Sequence, residues 1–156
     1  MRLMAAIVRS AALVCIATAF ACADAHDDII DVFTSMAGAL TDVTGNGEVT
    51  VRGNVPLFMS AFSKDMPDYG TLKTDVTALV METEVSSSIQ VVSDEGNDQK
   101  RTVDLDWVLQ LQSLERDGPL VRRREVIHCE FRKEKKHWKI VSLKPIDFFA
   151  PPQPGQ

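Results

Sequence analysis

Residues 102–111 read Thr-Val-Asp-Leu-Asp-Trp-Val-Leu-Gln-Leu, and this stretch decides the fold of the chain. Apolar side chains occupy every second position from Val103 to Leu111, and polar residues occupy most of the positions between them. A period of two is typical of a strand that buries one face. The stretch therefore predicts a strand of an antiparallel sheet whose other face meets water.

Further strands are predicted on both sides of this one. Turn-forming residues cluster at Ser93–Asp98 before it and at Asp117-Gly118-Pro119 after it. A third polar cluster, Lys133–Lys136, interrupts the last apolar stretch of the folded region. Segments bounded in this way predict an antiparallel meander. Its strands begin near residue 85 and continue over 102–111, 121–131 and 137–143.

Helical spacing precedes the strands. Apolar residues recur at three- and four-residue intervals over 27–40, and Asp27 and Asp28 suit the positive end of a helix dipole. A shorter helix is predicted over Val55–Ser63 and a third from about Thr71 to Glu82. Helices first and strands second predict the α+β class. We expect about three N-terminal helices packed on a strongly curved, mostly antiparallel sheet of about four to six strands.

The first 25 residues have the layout of a cleaved export signal. Arg2 and Arg9 supply the positive charge at the start of the signal, and an apolar run follows over residues 11–20. Ala21-Cys22-Ala23 and Ala23-Asp24-Ala25 both match the Ala-x-Ala pattern of signal peptidase sites. We expect cleavage after Ala23 or Ala25 and a periplasmic or secreted protein.

Two alternatives attach the chain to a membrane. A retained anchor is disfavoured because the apolar run is shorter than the ~20 residues that span a bilayer. A lipid attached to Cys22 is disfavoured because Ala19 stands three positions ahead of it, where lipoprotein signals usually have Leu. After cleavage at Ala23 only Cys129 remains, so no disulfide within the chain is expected.

The composition indicates one ordinary folded domain. The chain has 156 residues, of which 45% are hydrophobic and 25% charged. Its net charge of −5 argues against a nucleic-acid binder held by phosphate contacts, and loss of Arg2 and Arg9 with the leader lowers the charge to −7. No integral membrane segment is expected after cleavage. Residues 26–149 are predicted to fold, and the Pro-rich tail 150–156 is predicted to be disordered.

The chain resembles the nuclear transport factor 2-like superfamily over about residues 27–149. The similarity rests on the order of elements, the Gly118-Pro119 turn into Arg122-Arg123-Arg124-Glu125-Val126, and the closing Lys136-His137-Trp138-Lys139-Ile140. That superfamily includes the polyketide cyclase (SnoaL-like) and ketosteroid isomerase families, and the chain is most similar to uncharacterised exported bacterial members. The resemblance implies a cone-shaped sheet around a pocket and, often, a homodimer formed through the sheet.

Strand alternation selects residues for this pocket. Arg123 and Glu125 share the predicted inward side of their strand with Ile127, beside Trp107 of the neighbouring strand. An Arg, a Glu and a Trp on an apolar wall can orient a small apolar ligand. The alternative is a cross-strand ion pair at the rim of the core. The expected pocket residues are Tyr69, Trp107, Arg123 and Glu125.

Catalysis is a separate hypothesis. Ketosteroid isomerase chemistry needs a carboxylate base with a tyrosine and an acid at the oxyanion. The chain has only Tyr69, and none in the first helix where that family places one. Glu125 and His128 are the acid–base candidates for a small isomerase, cyclase or hydratase-like enzyme. Alternation turns His128 outward with other polar residues, namely Asp104, Asp106, Gln110, Arg122, Arg124 and Glu130.

An insertion at residues 43–52 separates the first two helices. Counted from Asp42, oxygen donors stand at positions 1, 3, 5, 7 and 9 of a calcium loop, with Gly47 at position 6. The twelfth position holds Gly53, where such a loop needs an acid. The alternative is a plain hairpin at Asn46-Gly47. The candidate calcium ligands are Asp42, Thr44, Asn46, Glu48 and Thr50, and no other cofactor is expected.

The function that the sequence favours is non-catalytic. We expect an exported domain that binds a small apolar ligand in a conical pocket, or that has an accessory or dimerisation role. The enzyme hypothesis remains as its alternative.

Overall fold

The computed structural model describes residues 24–45, 48–115 and 117–153, and within 43–51 it describes the backbone alone. Three helices precede the main strands, as predicted, and no helix in the described ranges is long and apolar enough to cross a membrane. The elements are α1 (24–40), β1 (Val43–Gly45), β2 (Glu48–Val51), α2 (Val55–Met59), α3 (Tyr69–Glu82), β3 (Thr83–Gly96), β4 (Lys100–Ser113), β5 (Leu120–Glu134), β6 (His137–Lys144) and the 3₁₀ helix η1 (Ile146–Phe149).

The main sheet is a curved, unclosed antiparallel meander in the order β3-β4-β5-β6. Its register aligns Leu105 of β4 with Val91 on one side and Ile127 on the other. The alternating apolar residues of β4 are all buried, so the stretch that opened the sequence forms the centre of the inner face. This confirms the α+β class and the order of elements.

The helices cover that inner face and complete one core. Helix α1 buries Ile29, Phe33, Met36 and Leu40, which lie on one side of the helix because they are three or four residues apart. Phe33 meets Phe131 of β5 edge to face, with ring centroids 5.3 Å apart. Helix α3 adds the side chains of Leu72, Val76, Leu79 and Val80.

Helix α2 ends earlier than predicted, at Met59 instead of Ser63. The chain beyond it pairs with β6: Ile140 N donates to Ala61 O at 2.9 Å, and Ser63 N donates to Ile140 O at 2.8 Å. These bonds satisfy backbone groups that another helical turn would have used, and they cover part of the β6 edge. Periodicity alone does not reveal such a partner.

Strand β3 is longer than predicted and includes Ser93–Gly96, which were expected to form the turn. A bulge between Val91 and Ser93 keeps it paired with β4. The turn is tightened by Asn97, whose Oδ1 accepts hydrogen bonds from Gln99 N and Lys100 N, each at 2.9 Å. Gly96 has φ +145°, and a Cβ there would lie 2.3 Å from Lys100 O, so only glycine fits.

Among the described residues, the outer edge of β3 has no paired strand beyond its first residues. The chain just after α1 reaches this edge, where Asp42 N donates to Val85 O at 2.9 Å. Further along, Ser86, Ser88 and Gln90 are exposed.

The predicted leader lies outside the described residues up to position 23. At the start of α1, Ala25 is buried and packs in the core, and His26 Nδ1 lies 2.6 Å from Asp94 Oδ2 at the far end of β3. Helix α1 of the described residues therefore includes Ala25, and the boundary between leader and folded domain stays a prediction.

Candidate functional site

The space in front of Trp107 is filled by aromatic side chains. The indole of Trp107 is fully buried, and its centroid lies 5.0 Å from Phe149 and 6.2 Å from Phe148, both in η1. Phe149 also packs on Phe58 of α2 at 5.4 Å. The Trp107 N–H donates to Ser87 Oγ at 2.8 Å. Trp107 is thus a core residue whose polar atom is satisfied, and η1 closes this region.

Arg123 binds the backbone of the C-terminal segment that contains η1. Its Nη1 donates to Phe148 O at 3.0 Å and to Ala150 O. Burial lowers the pKa of the guanidinium, and the nearby carboxylate of Asp147 opposes that shift. Arg123 therefore positions residues 146–150 by satisfying carbonyls at the end of η1.

Glu125 is aligned with Trp107 in the β4–β5 register, but its side chain is exposed. It lines an open cleft of about 590 Å³ together with Arg123, Pro145 and Pro151. The structure therefore brings Arg123 and Glu125 together above the buried Trp107. The covering segment was missed in the sequence, where its signal is the pair Phe148-Phe149 just after Pro145.

Tyr69 lies apart from the other three expected pocket residues. It stands at the start of α3, is half-buried and lines a groove of about 580 Å³ between α2, α3 and β5, which we call the Tyr69 groove. Val55, Met59 and Phe62 give this groove its apolar wall, and Lys73 lies at its margin. Its lining is more apolar than that of the Glu125 cleft, which has a similar volume.

The outer face of the sheet carries paired charges. His128 Nδ1 lies 2.5 Å from Asp104 Oδ1, and Ser93 Oγ donates to Asp104 Oδ2 at 3.0 Å. The His128 contact holds the pKa of Asp104 below its ordinary value. Arg124 donates to Asp106 Oδ2 from two nitrogens, Nη2 at 2.5 Å and Nε at 3.1 Å. His128 thus faces away from Trp107, as alternation predicts, and its Nδ1 is engaged in a surface pair.

The insertion forms a small antiparallel hairpin in which Gly45 pairs with Glu48. Asn46 lies outside the described residues, and so do the side chains of Thr44, Glu48 and Thr50. Of the candidate ligands, Asp42 is the one whose side chain is described. Its Oδ1 accepts a hydrogen bond from Gly53 N at 2.8 Å, so it ties the two ends of the hairpin together. Calcium binding here stays a prediction.

Asp42 is the subject of a pH-dependent prediction. Burial raises the pKa of its carboxyl above the ordinary value, and Oδ2 has no hydrogen-bond partner among the described residues, with Arg52 Nη1 at 3.8 Å. A raised native pKa means that this group favours folding below its ordinary pKa and that this contribution is lost as pH rises through the native pKa. Asp42→Asn keeps the acceptor for Gly53 N, so we expect it to be more stable than the wild type at pH 7.

Urea unfolding at pH 7 and at pH 4 measures this effect, with Asp98→Asn in the exposed β3–β4 turn as the control. The advantage of Asp42→Asn should shrink towards pH 4. A variant that is less stable at pH 7 would show that the Arg52 contact outweighs burial.

The comparisons with known proteins show the fold and nothing finer. No family model matches the sequence, and no curated protein matches it. A solved structure of a proposed aromatic ring hydroxylase from Novosphingobium aromaticivorans is 16% identical with a TM-score of 0.52, over 74% of this chain and 82% of that one. A Nostoc punctiforme protein with a cystatin-like fold is 15% identical with a TM-score of 0.48, over 74% and 85%. The first likeness supports the nuclear transport factor 2-like fold; a SnoaL-like family assignment stays a prediction.

Proposed function

We propose that this chain is an exported, non-catalytic domain that binds a small apolar ligand in the Tyr69 groove. The observation that carries the proposal is the groove itself. Its volume of about 580 Å³ falls within the 300–1,000 Å³ of typical ligand sites. Val55, Met59 and Phe62 give it an apolar wall, and the rest of its lining is mostly polar.

The filled interior favours binding over catalysis. General acid–base chemistry works best where closure excludes water around the reacting groups. Glu125 is exposed on an open cleft, and His128 lies on the opposite face of the sheet in a pair with Asp104. Neither candidate has an enclosed space beside it in the described structure.

The burial of Ala25 at the start of α1 favours one of the two proposed cleavage sites of the leader. Cleavage after Ala25 would remove a side chain that is buried in the core, whereas cleavage after Ala23 keeps it. We therefore propose that the mature chain begins at Asp24.

Native mass spectrometry of the full chain expressed through a bacterial export pathway tests both parts. We expect a mass that begins at Asp24 and a bound small molecule, either retained or supplied as N-phenyl-1-naphthylamine. Val55→Arg puts a charged side chain into the groove wall and should weaken binding of this probe at least about tenfold, because the guanidinium would lose water beside apolar side chains. Leu57→Arg, on the same helix but outside the groove, should bind normally.

The two parts can fail separately. An uncleaved chain would refute export, and a mass without Asp24 and Ala25 would refute the proposed cleavage site. Equal binding of the probe by both variants and the wild type would refute the groove.

A homodimer formed through the sheet is the second candidate role. Val126 is 47% exposed on the outer face, where it is aligned with Asp106 in the β4–β5 register. An apolar residue between charged pairs suits the centre of a polar interface. The same spectra report the stoichiometry of the protein.

A further inference from the structure

The first three residues of the proposed mature chain are Asp24, Ala25 and His26. A free amino group with histidine as the third residue is a chelating sequence. The amine nitrogen, the backbone nitrogens of the second and third residues and the imidazole Nδ1 can surround one ion in a plane. Nitrogen ligands in a square plane are typical of Cu²⁺ and Ni²⁺. Such a site exists only if cleavage occurs after Ala23, so it rests on the proposed function.

The structure leaves the donor atoms of this segment at the start of α1. Asp24 is exposed, and the His26 side chain is 43% exposed. The ring nitrogen of His26 that lies against Asp94 is Nδ1, which is also the nitrogen that the chelate needs. The backbone N–H groups of Ala25 and His26 lie in the first turn, so cleavage after Ala23 removes the earlier carbonyls that could accept from them. No hydrogen bond within the helix then has to be broken to free these nitrogens.

Metal binding has a local cost in the fold. Four donors in one plane are incompatible with a helical first turn, so residues 24–26 must unwind. The Ala25 side chain then moves from a position where it is 3% exposed, and His26 leaves Asp94. Opening a helix terminus costs little free energy compared with unfolding the domain. Four bonds to a divalent ion outweigh it, because zinc binding alone can fold a small domain and Cu²⁺ binds such ligands more tightly than Zn²⁺.

Other parts of the described chain compete weakly for the same ion. The described ranges contain no cluster of three or more His, Cys, Asp or Glu side chains that could hold a metal. Cys129 is fully buried, and burial raises the pKa of its thiol, so its thiolate is not available as a soft copper ligand. Export also favours the site, because copper is present as Cu²⁺ in an oxidising compartment.

We propose that the amino terminus of the mature chain binds one Cu²⁺ ion through the amine of Asp24, the backbone nitrogens of Ala25 and His26, and His26 Nδ1. Ni²⁺ binds in the same geometry with lower affinity. The proton of the ammonium group and the two amide protons pass to solvent. The metal and Asp94 compete for one nitrogen, so binding releases the start of α1 from the end of β3.

Titration of the full chain with CuCl₂, after expression through a bacterial export pathway, tests the proposal. The mass is measured first and is expected to begin at Asp24. One equivalent of Cu²⁺ should then give the violet absorption of a square-planar site with four nitrogens, and further copper should not increase it. A chain that begins at Asp24 and gives no violet absorption would overturn the proposal.

Matched variants assign the donors. His26→Gln removes the imidazole and should abolish the violet absorption, whereas His137→Gln, which changes an exposed histidine of β6, should leave it unchanged. A glycine inserted between Ala23 and Asp24, and shown by mass to remain, makes His26 the fourth residue. This chain keeps every side chain and should still lose the violet absorption. Full absorption in the His26→Gln or the glycine protein would overturn the proposed ligand set.

The nickel complex locates the ion by ¹⁵N NMR, because square-planar Ni²⁺ is diamagnetic and leaves the spectrum sharp. The backbone N–H signals of Ala25 and His26 should disappear as their protons are lost, and the signal of Asp94 should shift. Shifts centred on His128 or His137 would indicate binding to surface histidines and would overturn the site.

The metal site and the proposed function can fail separately. A mass that does not begin at Asp24 refutes the cleavage site and the metal site together. A mass that begins at Asp24 without the violet absorption refutes the metal site alone. Binding of N-phenyl-1-naphthylamine is measured on metal-free protein, so it reports on the Tyr69 groove whatever the copper titration shows.

Discussion

Phe149→Ala is expected to lower the free energy of unfolding by about 3–5 kcal/mol, the range for large aromatic-to-alanine changes in well-packed cores. Phe149 is fully buried and contacts Trp107, Phe58 and Phe148 edge to face or nearly so. Its removal opens a cavity between η1 and the sheet and takes away three aromatic contacts. Because domains of this size are stable by about 5–15 kcal/mol, the loss is a large share of the total.

Urea unfolding monitored by circular dichroism measures this loss. Phe149→Leu is the milder substitution, and it keeps the experiment interpretable if the alanine variant is largely unfolded. Leu120→Ala removes an apolar side chain that is 64% exposed and should change stability by less than about 0.5 kcal/mol. A small effect of Phe149→Ala would show that η1 is loosely attached and that the interior is open.

Asp94→Ala is expected to have a comparable effect, about 3–5 kcal/mol, for a different reason. Asp94 accepts from Arg101 Nε at 2.6 Å, and the two side chains are 4% and 7% exposed. The other carboxylate oxygen lies 2.6 Å from His26 Nδ1, at the start of α1. Removing the carboxylate leaves a buried guanidinium without its counter-charge and releases the first turn of α1 from the sheet.

A double variant separates these two consequences. Asp94→Ala combined with Arg101→Met removes both buried charges and should recover much of the lost stability. Asp106→Ala removes one partner of an exposed pair, so its effect should be far smaller. If the double variant is as unstable as the single one, the His26 contact, and not the unpaired Arg101, accounts for the loss.

The alternation of apolar and polar residues predicted the sheet well because each strand buries one face in the core and exposes the other to solvent. The spacing of Val103, Leu105 and Trp107 predicted that these side chains are buried, and all three are fully buried. The end of α2 and the turn after β3 could not be predicted in the same way. The end of α2 depends on Ile140, a backbone partner far along the chain, and the length of β3 depends on a bulged pairing with β4.

The pocket was predicted less well than the sheet for a related reason. Alternation assigned Arg123 and Glu125 to the side of Trp107, and the register agrees. Alternation does not say what covers a face, and here the segment from Ile146 onward covers it and takes both hydrogen bonds of Arg123 Nη1. The Tyr69 groove was missed because its lining comes from separate stretches of the chain, 55–65, 69–73 and 134–139, with no motif of their own.

The open edge of β3 also affects how the protein behaves at high concentration. An unpaired strand edge is a template for intermolecular β-pairing and fibril growth. Here Ser86, Ser88 and Gln90 present polar side chains along that edge, and the bulge between Val91 and Ser93 disturbs the straight register that a second strand would need. The β6 edge is partly covered by the chain after α2. The meander can thus remain unclosed without offering a flat edge for aggregation.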